Sequence, residues 1–139
     1  MILYLDTSAL VKLFLEEAHS AEVRTAARLA GNCGTSRIAY VEFLSALARR
    51  EREGLDSKVA QVIRETFEAK WPDLMVVEIS RTITVRASGL ARAHALRAYD
   101  AVHLACAQEI QETAPDLVFA CFDDRLNQAA GAQAMRLLS

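Results

Sequence analysis

The 139-residue chain holds few of the residues that divide a fold into pieces: two prolines, five glycines, no low-complexity tract and no repeating period. One domain spanning residues 1–139 is therefore expected, and a hydrophobic content of 53% is enough to fill a core around a central sheet. No apolar run approaches the roughly 18 residues that a membrane-spanning helix needs. The opening Met1-Ile2-Leu3-Tyr4-Leu5 runs straight into Asp6 without a basic leader or a small-residue cleavage site, so these residues are not expected to be a signal peptide. A soluble, cytoplasmic protein without a membrane partner is the expectation. Cys33, Cys106 and Cys121 form no C-x-x-C pair and lie far apart among apolar neighbours, so they are expected as buried free thiols, neither disulfide-bonded nor metal-ligating. An excess of positive charge is also missing. A net charge of −2 lacks the field by which a basic module attracts nucleic acid. It does not exclude an enzyme whose bound cations supply that charge.

What is present is an alternation of short apolar runs and amphipathic stretches. Ile2–Leu5 reads as a strand ending at Asp6, with Thr7 or Ser8 capping a helix through Leu10, Val11, Leu13 and Phe14. A helix from Ser20 to Leu29 stops at Gly31-Asn32, before a short strand near Cys33–Thr35. Ser36 is expected to cap a helix reaching about Glu53, where Gly54 ends it, and Asp56 opens another that runs to Trp71-Pro72. Leu74–Ile79 is a third strand, followed by a helix from Ser80. Asp100 opens a helix to about Thr113, Leu117–Phe122 is an apolar fourth strand, and Arg125–Ala130 is helical. A weak fifth strand falls at Met135–Leu138. Strands alternating with helical crossovers imply an α/β fold, a three-layer α/β/α sandwich around a four- to five-stranded parallel sheet.

Ligands of open parallel sheets bind outside the carboxyl ends of the strands. Asp6 and Asp123 lie just past two such ends. Glu42, early in the helix after the second strand, and Asp100, opening the helix before the fourth, belong near the same edge. Four carboxylates that meet would repel by roughly 4 kcal/mol per pair at 4 Å and an effective dielectric of 20. Bound cations remove that penalty, and an all-oxygen set favours Mg²⁺ or Mn²⁺ over Zn²⁺. Phosphodiester hydrolysis is the natural chemistry of such a site. Each acid also has a plainer explanation: a helix cap for Asp100 and for Asp123-Asp124, and a solvated face for Glu42, opposite the stripe Tyr40, Val41, Leu44, Leu47 and Ala48. His103, three residues after Asp100, reads as a packed, hydrogen-bonded structural histidine, with a catalytic pair as the alternative.

Together, Leu5-Asp6-Thr7-Ser8-Ala9-Leu10-Val11-Lys12, Tyr40-Val41-Glu42, Tyr99-Asp100-Ala101-Val102-His103-Leu104-Ala105 and Phe122-Asp123-Asp124-Arg125-Leu126 resemble the PIN domain, in particular the VapC toxins of toxin–antitoxin pairs. The resemblance implies a Mg²⁺- or Mn²⁺-dependent endoribonuclease acting on RNA, silenced by a cognate VapB-like antitoxin and forming a homodimer. It implies that Asp6, Glu42, Asp100 and Asp123 hold metal or position water, with Ser8 hydrogen-bonded within the cluster and Asp124 in support. The chain departs from the pattern at Cys121, where similar proteins carry Thr or Ser, and in the doubled acid Asp123-Asp124, either of which could face inward. A non-catalytic interaction module of the same fold is the alternative. Apolar residues between Ile38 and Trp71 exceed one core face and suggest a contact with a second copy or with the antitoxin.

Overall fold

The computed structural model describes residues 1–138. Five strands, β1 (Ile2–Leu5), β2 (Asn32–Ser36), β3 (Met75–Val77), β4 (Val118–Ala120) and β5 (Arg136–Leu137), form one sheet in the order β3-β2-β1-β4-β5. Every neighbouring pair is parallel. The connecting helices are α1 (Thr7–Phe14), α2 (Ser20–Ala30), α3 (Ile38–Arg52), α4 (Ser57–Lys70), α5 (Arg81–His94), α6 (Ala98–Thr113) and α7 (Asp124–Ala132). A 3-10 turn, Trp71–Asp73, follows α4.

Alternation along the strands assigns the layers. Leu3 and Leu5 of β1 pack with α1–α4, whereas Tyr4 and Phe119 enter the cluster of α5, α6 and α7. Helices thus cover both faces, as expected for buried parallel strands. Helix α6 approaches β2 so closely that a Cβ at Gly34 would lie 2.9 Å from Ile110 Cδ1. Gly31, with φ of 80°, and Gly54, with φ of 117°, follow α2 and α3 in the left-handed region, the helix-ending role the sequence assigned them. On the other face Phe43 and Phe67 stack at 3.9 Å between centroids, and Phe14 meets both edge-on.

Several local expectations need correction. Asp6 caps α1, its side chain accepting from Ala9 N, so neither Thr7 nor Ser8 takes that role. Ser36 accepts from Ile38 N, but the residue flanking α3 is Arg37. Helix α6 starts at Ala98, which moves Asp100 from the cap into the first turn. The third and fourth strands are shorter than expected, because Leu74, Glu78, Ile79, Leu117, Cys121 and Phe122 fall outside the ladder. The buried row of α3 is Ala39, Phe43 and Leu47, whereas Val41 is 62% exposed. Asp56 and Ser80 do cap α4 and α5. All three cysteines are free, Cys106 and Cys121 buried and Cys33 partly so. Among the described residues no helix is long and apolar enough to cross a membrane.

Candidate active site

The chain builds β1, β2 and β3 outward in one direction and then returns to place β4 on the opposite side of β1. That reversal opens a crevice at the carboxyl ends of β1 and β4, where open α/β sheets bind ligands. Asp6 follows β1 there, its amide donating to Ala120 O at 3.1 Å, and Asp123 follows β4. The first turns of α3 and α6 bring Glu42 and Asp100 to the same place. One cavity of about 200 Å³ is lined by all four acids together with Thr7, Ser8, Arg97, Tyr99, His103 and Phe122. Asp124 does not line it. It is exposed at the start of α7 and borders an adjoining space of about 460 Å³ with Arg97, Asp100, Asp123 and Arg125. On the other side a groove of about 790 Å³ continues past Thr7, Glu42 and Tyr99 along α3. The acidic cavity is the middle of a trough.

Three of the acids each have one oxygen bound to the scaffold. Asp6 Oδ1 accepts from Ser8 Oγ at 2.7 Å and from Ala9 N at 2.9 Å. Asp123 Oδ2 accepts from Leu126 N at 2.9 Å, capping α7. Glu42 Oε1 accepts from Thr7 Oγ1 at 2.5 Å and stands 3.0 Å from His103 Nε2. Capping and site-building are thus the same geometry here: the bond that completes a helix end also fixes the direction of the carboxylate. The helix-cap explanation of Asp123 is correct and compatible with a site, and Asp6 proves to be a cap as well. Glu42 is not on a solvated face; its side chain is 23% exposed and turned to the cleft.

The electrostatics carry the mark of crowded negative charge. Burial, then the charges of Asp123 and Asp6, push Asp100 above the ordinary carboxylate range, and His103 and Arg97 offset only part of this. Burial also acts to raise Glu42, but the His103 and Thr7 hydrogen bonds outweigh it and leave this carboxyl below its usual range. Cys121 lies 3% exposed beneath the cluster, its thiol pushed far up by burial and by the charge of Asp6, so it stays neutral. Its sulfur accepts from Asp123 N at 3.2 Å, and in this way it takes over part of a hydroxyl's role in ordering the loop after β4.

Because folding lowers the Glu42 pKa, its stabilising contribution is complete above the unfolded value near 4.5 and is lost as pH falls through the folded one. Metal-free Glu42→Gln protein is therefore expected to lose less stability than the wild type between pH 5 and 3, in urea melts that resolve about 0.5 kcal/mol. Parallel pH profiles would refute the assignment.

Among the described residues no three His, Cys, Asp or Glu side chains stand close enough to form a ready-made cation cage. The donor set nevertheless fits a hard cation. It is all oxygen, its charge is only partly compensated at Asp100, and Mg²⁺ commonly keeps several waters while taking one or two carboxylates.

The PIN-domain family model matches residues 3–132, nearly the whole chain. The chain belongs to the PIN-domain family. The match includes all four acids of the cavity. Among curated relatives, Ribonuclease VapC45 of Mycobacterium tuberculosis is 39% identical over 141 residues, covering 98% of this chain and 94% of the relative. Among solved structures, FitAcB from Neisseria gonorrhoeae aligns with a TM-score of 0.73 at 19% identity, over 100% of this chain and 97% of that one. A toxin–antitoxin complex from Klebsiella pneumoniae aligns with a TM-score of 0.63 at 20% identity, over 87% and 86%. At those identities the two structures establish a shared fold. The expected α/β architecture and the PIN resemblance both hold.

His103 is the residue whose part was underread from sequence. Its position among apolar neighbours signalled a structural histidine, and it is buried and hydrogen-bonded, as that signal requires. Its partner at the cleft is Glu42, 61 positions away, and the spacing to Asp100 gave no hint of that. Thr7, which joins the same group, carried no signal beyond a candidate cap.

Proposed function

We propose that this PIN-domain protein is a divalent-metal-dependent endoribonuclease of the toxin–antitoxin type, neutralised by a VapB-like antitoxin. The observation that carries the proposal is the convergence of Asp6, Glu42, Asp100 and Asp123 on one cavity at the topological switch point. The ribonuclease name of the 39%-identical relative and the toxin–antitoxin neighbour support it.

Mg²⁺ or Mn²⁺, held by Asp6, Asp100, Asp123 and Glu42, would supply positive charge against the phosphodiester and ready a water for attack. The chain's own residues do the positioning. Ser8 Oγ and Ala9 N hold Asp6, and Leu126 N holds Asp123, so neither carboxylate must be ordered when substrate arrives. The adjoining spaces of about 460 Å³ and 790 Å³ support a reading in which an extended single strand crosses the acids. Arg97 at the junction supplies a positive group for its backbone. Val41, Val59 and Val62 stay 62%, 46% and 61% exposed on α3 and α4, which supports coverage of this side by a second copy or by the antitoxin. A cytoplasmic location accords with such a partnership.

The test is RNA cleavage by the purified chain, with calorimetric titration of Mg²⁺ and Mn²⁺. Cleavage should vanish in chelator and return with either ion. Cleavage that persists in chelator would refute metal dependence, and a folded chain that neither binds an ion nor cuts RNA would favour the non-catalytic interaction module.

A further inference from the structure

Going beyond the nuclease proposal but resting on it, we infer that His103, together with Thr7, is a positioning residue that clamps Glu42 so that this acid serves the cleft through a single oxygen. His103 is 1% exposed on α6, yet one of its ring nitrogens reaches out of the core to a half-buried carboxylate. Nε2 lies 3.0 Å from Glu42 Oε1 and 3.0 Å from Thr7 Oγ1, and Thr7 Oγ1 donates to the same Oε1 at 2.5 Å. A carboxylate only accepts, so Nε2 must carry a proton. Thr7 gives its single proton to Glu42 and therefore meets Nε2–H with a lone pair.

The opposite side of the ring fixes this arrangement. Nδ1 stands 2.8 Å from the hydroxyl of Tyr4, a side chain with no exposure at all in the middle of β1. The phenolic hydroxyl carries a proton that it can donate to Nδ1 across this contact. A ring that accepts at Nδ1 donates at Nε2, in agreement with the carboxylate it meets there. The chain Tyr4–His103–Glu42 thus connects the middle of the sheet to the cleft and sets both the tautomer and the carboxylate direction. Two donors on Oε1 leave Oε2 as the oxygen outside these bonds. Such outer partners, acting through a ligand, typically change metal affinity or activity about 10- to 100-fold.

A histidine that merely filled the core would require none of this. Three variants separate the roles: His103→Leu removes the donor, His103→Gln keeps an amide donor near the Nε2 position, and Thr7→Val removes the second donor from the cleft side. Each is checked for folding by circular dichroism and thermal melting, then titrated calorimetrically with Mn²⁺ in the absence of RNA. His103→Leu is expected to weaken Mn²⁺ binding about 10- to 100-fold, Thr7→Val to weaken it measurably, and His103→Gln to recover most of the loss. Wild-type affinity in folded His103→Leu or Thr7→Val protein would overturn the clamp while leaving the nuclease proposal standing. A wild type that binds no divalent ion would overturn both. Should His103→Leu fail to fold, Thr7→Val carries the affinity test. Imidazole ¹⁵N shifts of the wild type add a readout independent of metal: a proton on Nε2 is expected, and an Nδ1–H tautomer would overturn the assignment.

Discussion

Asp6→Asn should reduce RNA cleavage by at least about 100-fold, beyond the 10- to 100-fold typical of outer partners of a metal site, without lowering stability. The substitution is nearly isosteric, and asparagine caps a helix as well as aspartate does, so Ala9 N and Ser8 Oγ keep their acceptor. What disappears is one negative charge in a cavity where Asp6 already contributes to raising Asp100. Removing that charge relieves like-charge repulsion on Asp100, so the metal-free variant should melt at or above the wild-type temperature. The two results belong together. Lost cleavage with an unchanged or raised melting temperature separates a chemical role from a structural one. Retained cleavage would refute Asp6 as a metal-holding or water-positioning group, and a large drop in melting temperature would show that its charge stabilises the fold.

Phe67→Ala should cost about 3–5 kcal/mol, the usual range for emptying a buried aromatic site. Phe67 has no exposed surface and stacks on Phe43 at 3.9 Å. Phe14 meets its ring at 5.5 Å and Trp71 at 5.4 Å. The substitution would therefore remove contacts to α1, α3 and the 3-10 turn at once, and the surrounding rings belong to three separate elements that cannot all close on the void. The midpoint of urea unfolding reports the loss directly. A cost below about 1.5 kcal/mol would show that the cluster repacks. Glu42 is held on α3 next to Phe43, so residual cleavage should fall more steeply with temperature in the variant than in the wild type.

The positions of Asp6 and Asp123 were legible in the sequence because each directly follows an apolar run, and the edge of a parallel sheet is set by chain direction. Asp100 was legible as to edge but not as to role, since the helix starts two residues before it and leaves it in the first turn. Glu42 was misplaced by helical spacing. A stripe drawn through Tyr40, Val41 and Leu44 assumes one apolar neighbour, whereas α3 packs against both α1 and α4, and that rotates Ala39, Phe43 and Leu47 inward. Phe122 was counted into a strand but lies beyond the ladder at the cleft.

From its own residues the chain determined its alternating elements, its helix-ending glycines and the acids at strand ends, because these follow from local backbone preference and from periodicity. Only the tertiary structure decided the strand order that opens the crevice between β1 and β4, the choice of Asp123 over Asp124, and the bonds of Glu42 to Thr7 and His103. The physical reason is sequence distance. Contacts such as Glu42 to His103, 61 positions apart, and Tyr4 to His103, 99 apart, depend on how whole helices rotate and pack, which no local pattern encodes. The acidic cleft is thus predictable as a neighbourhood, while the direction of each carboxylate within it is a property of the assembled core.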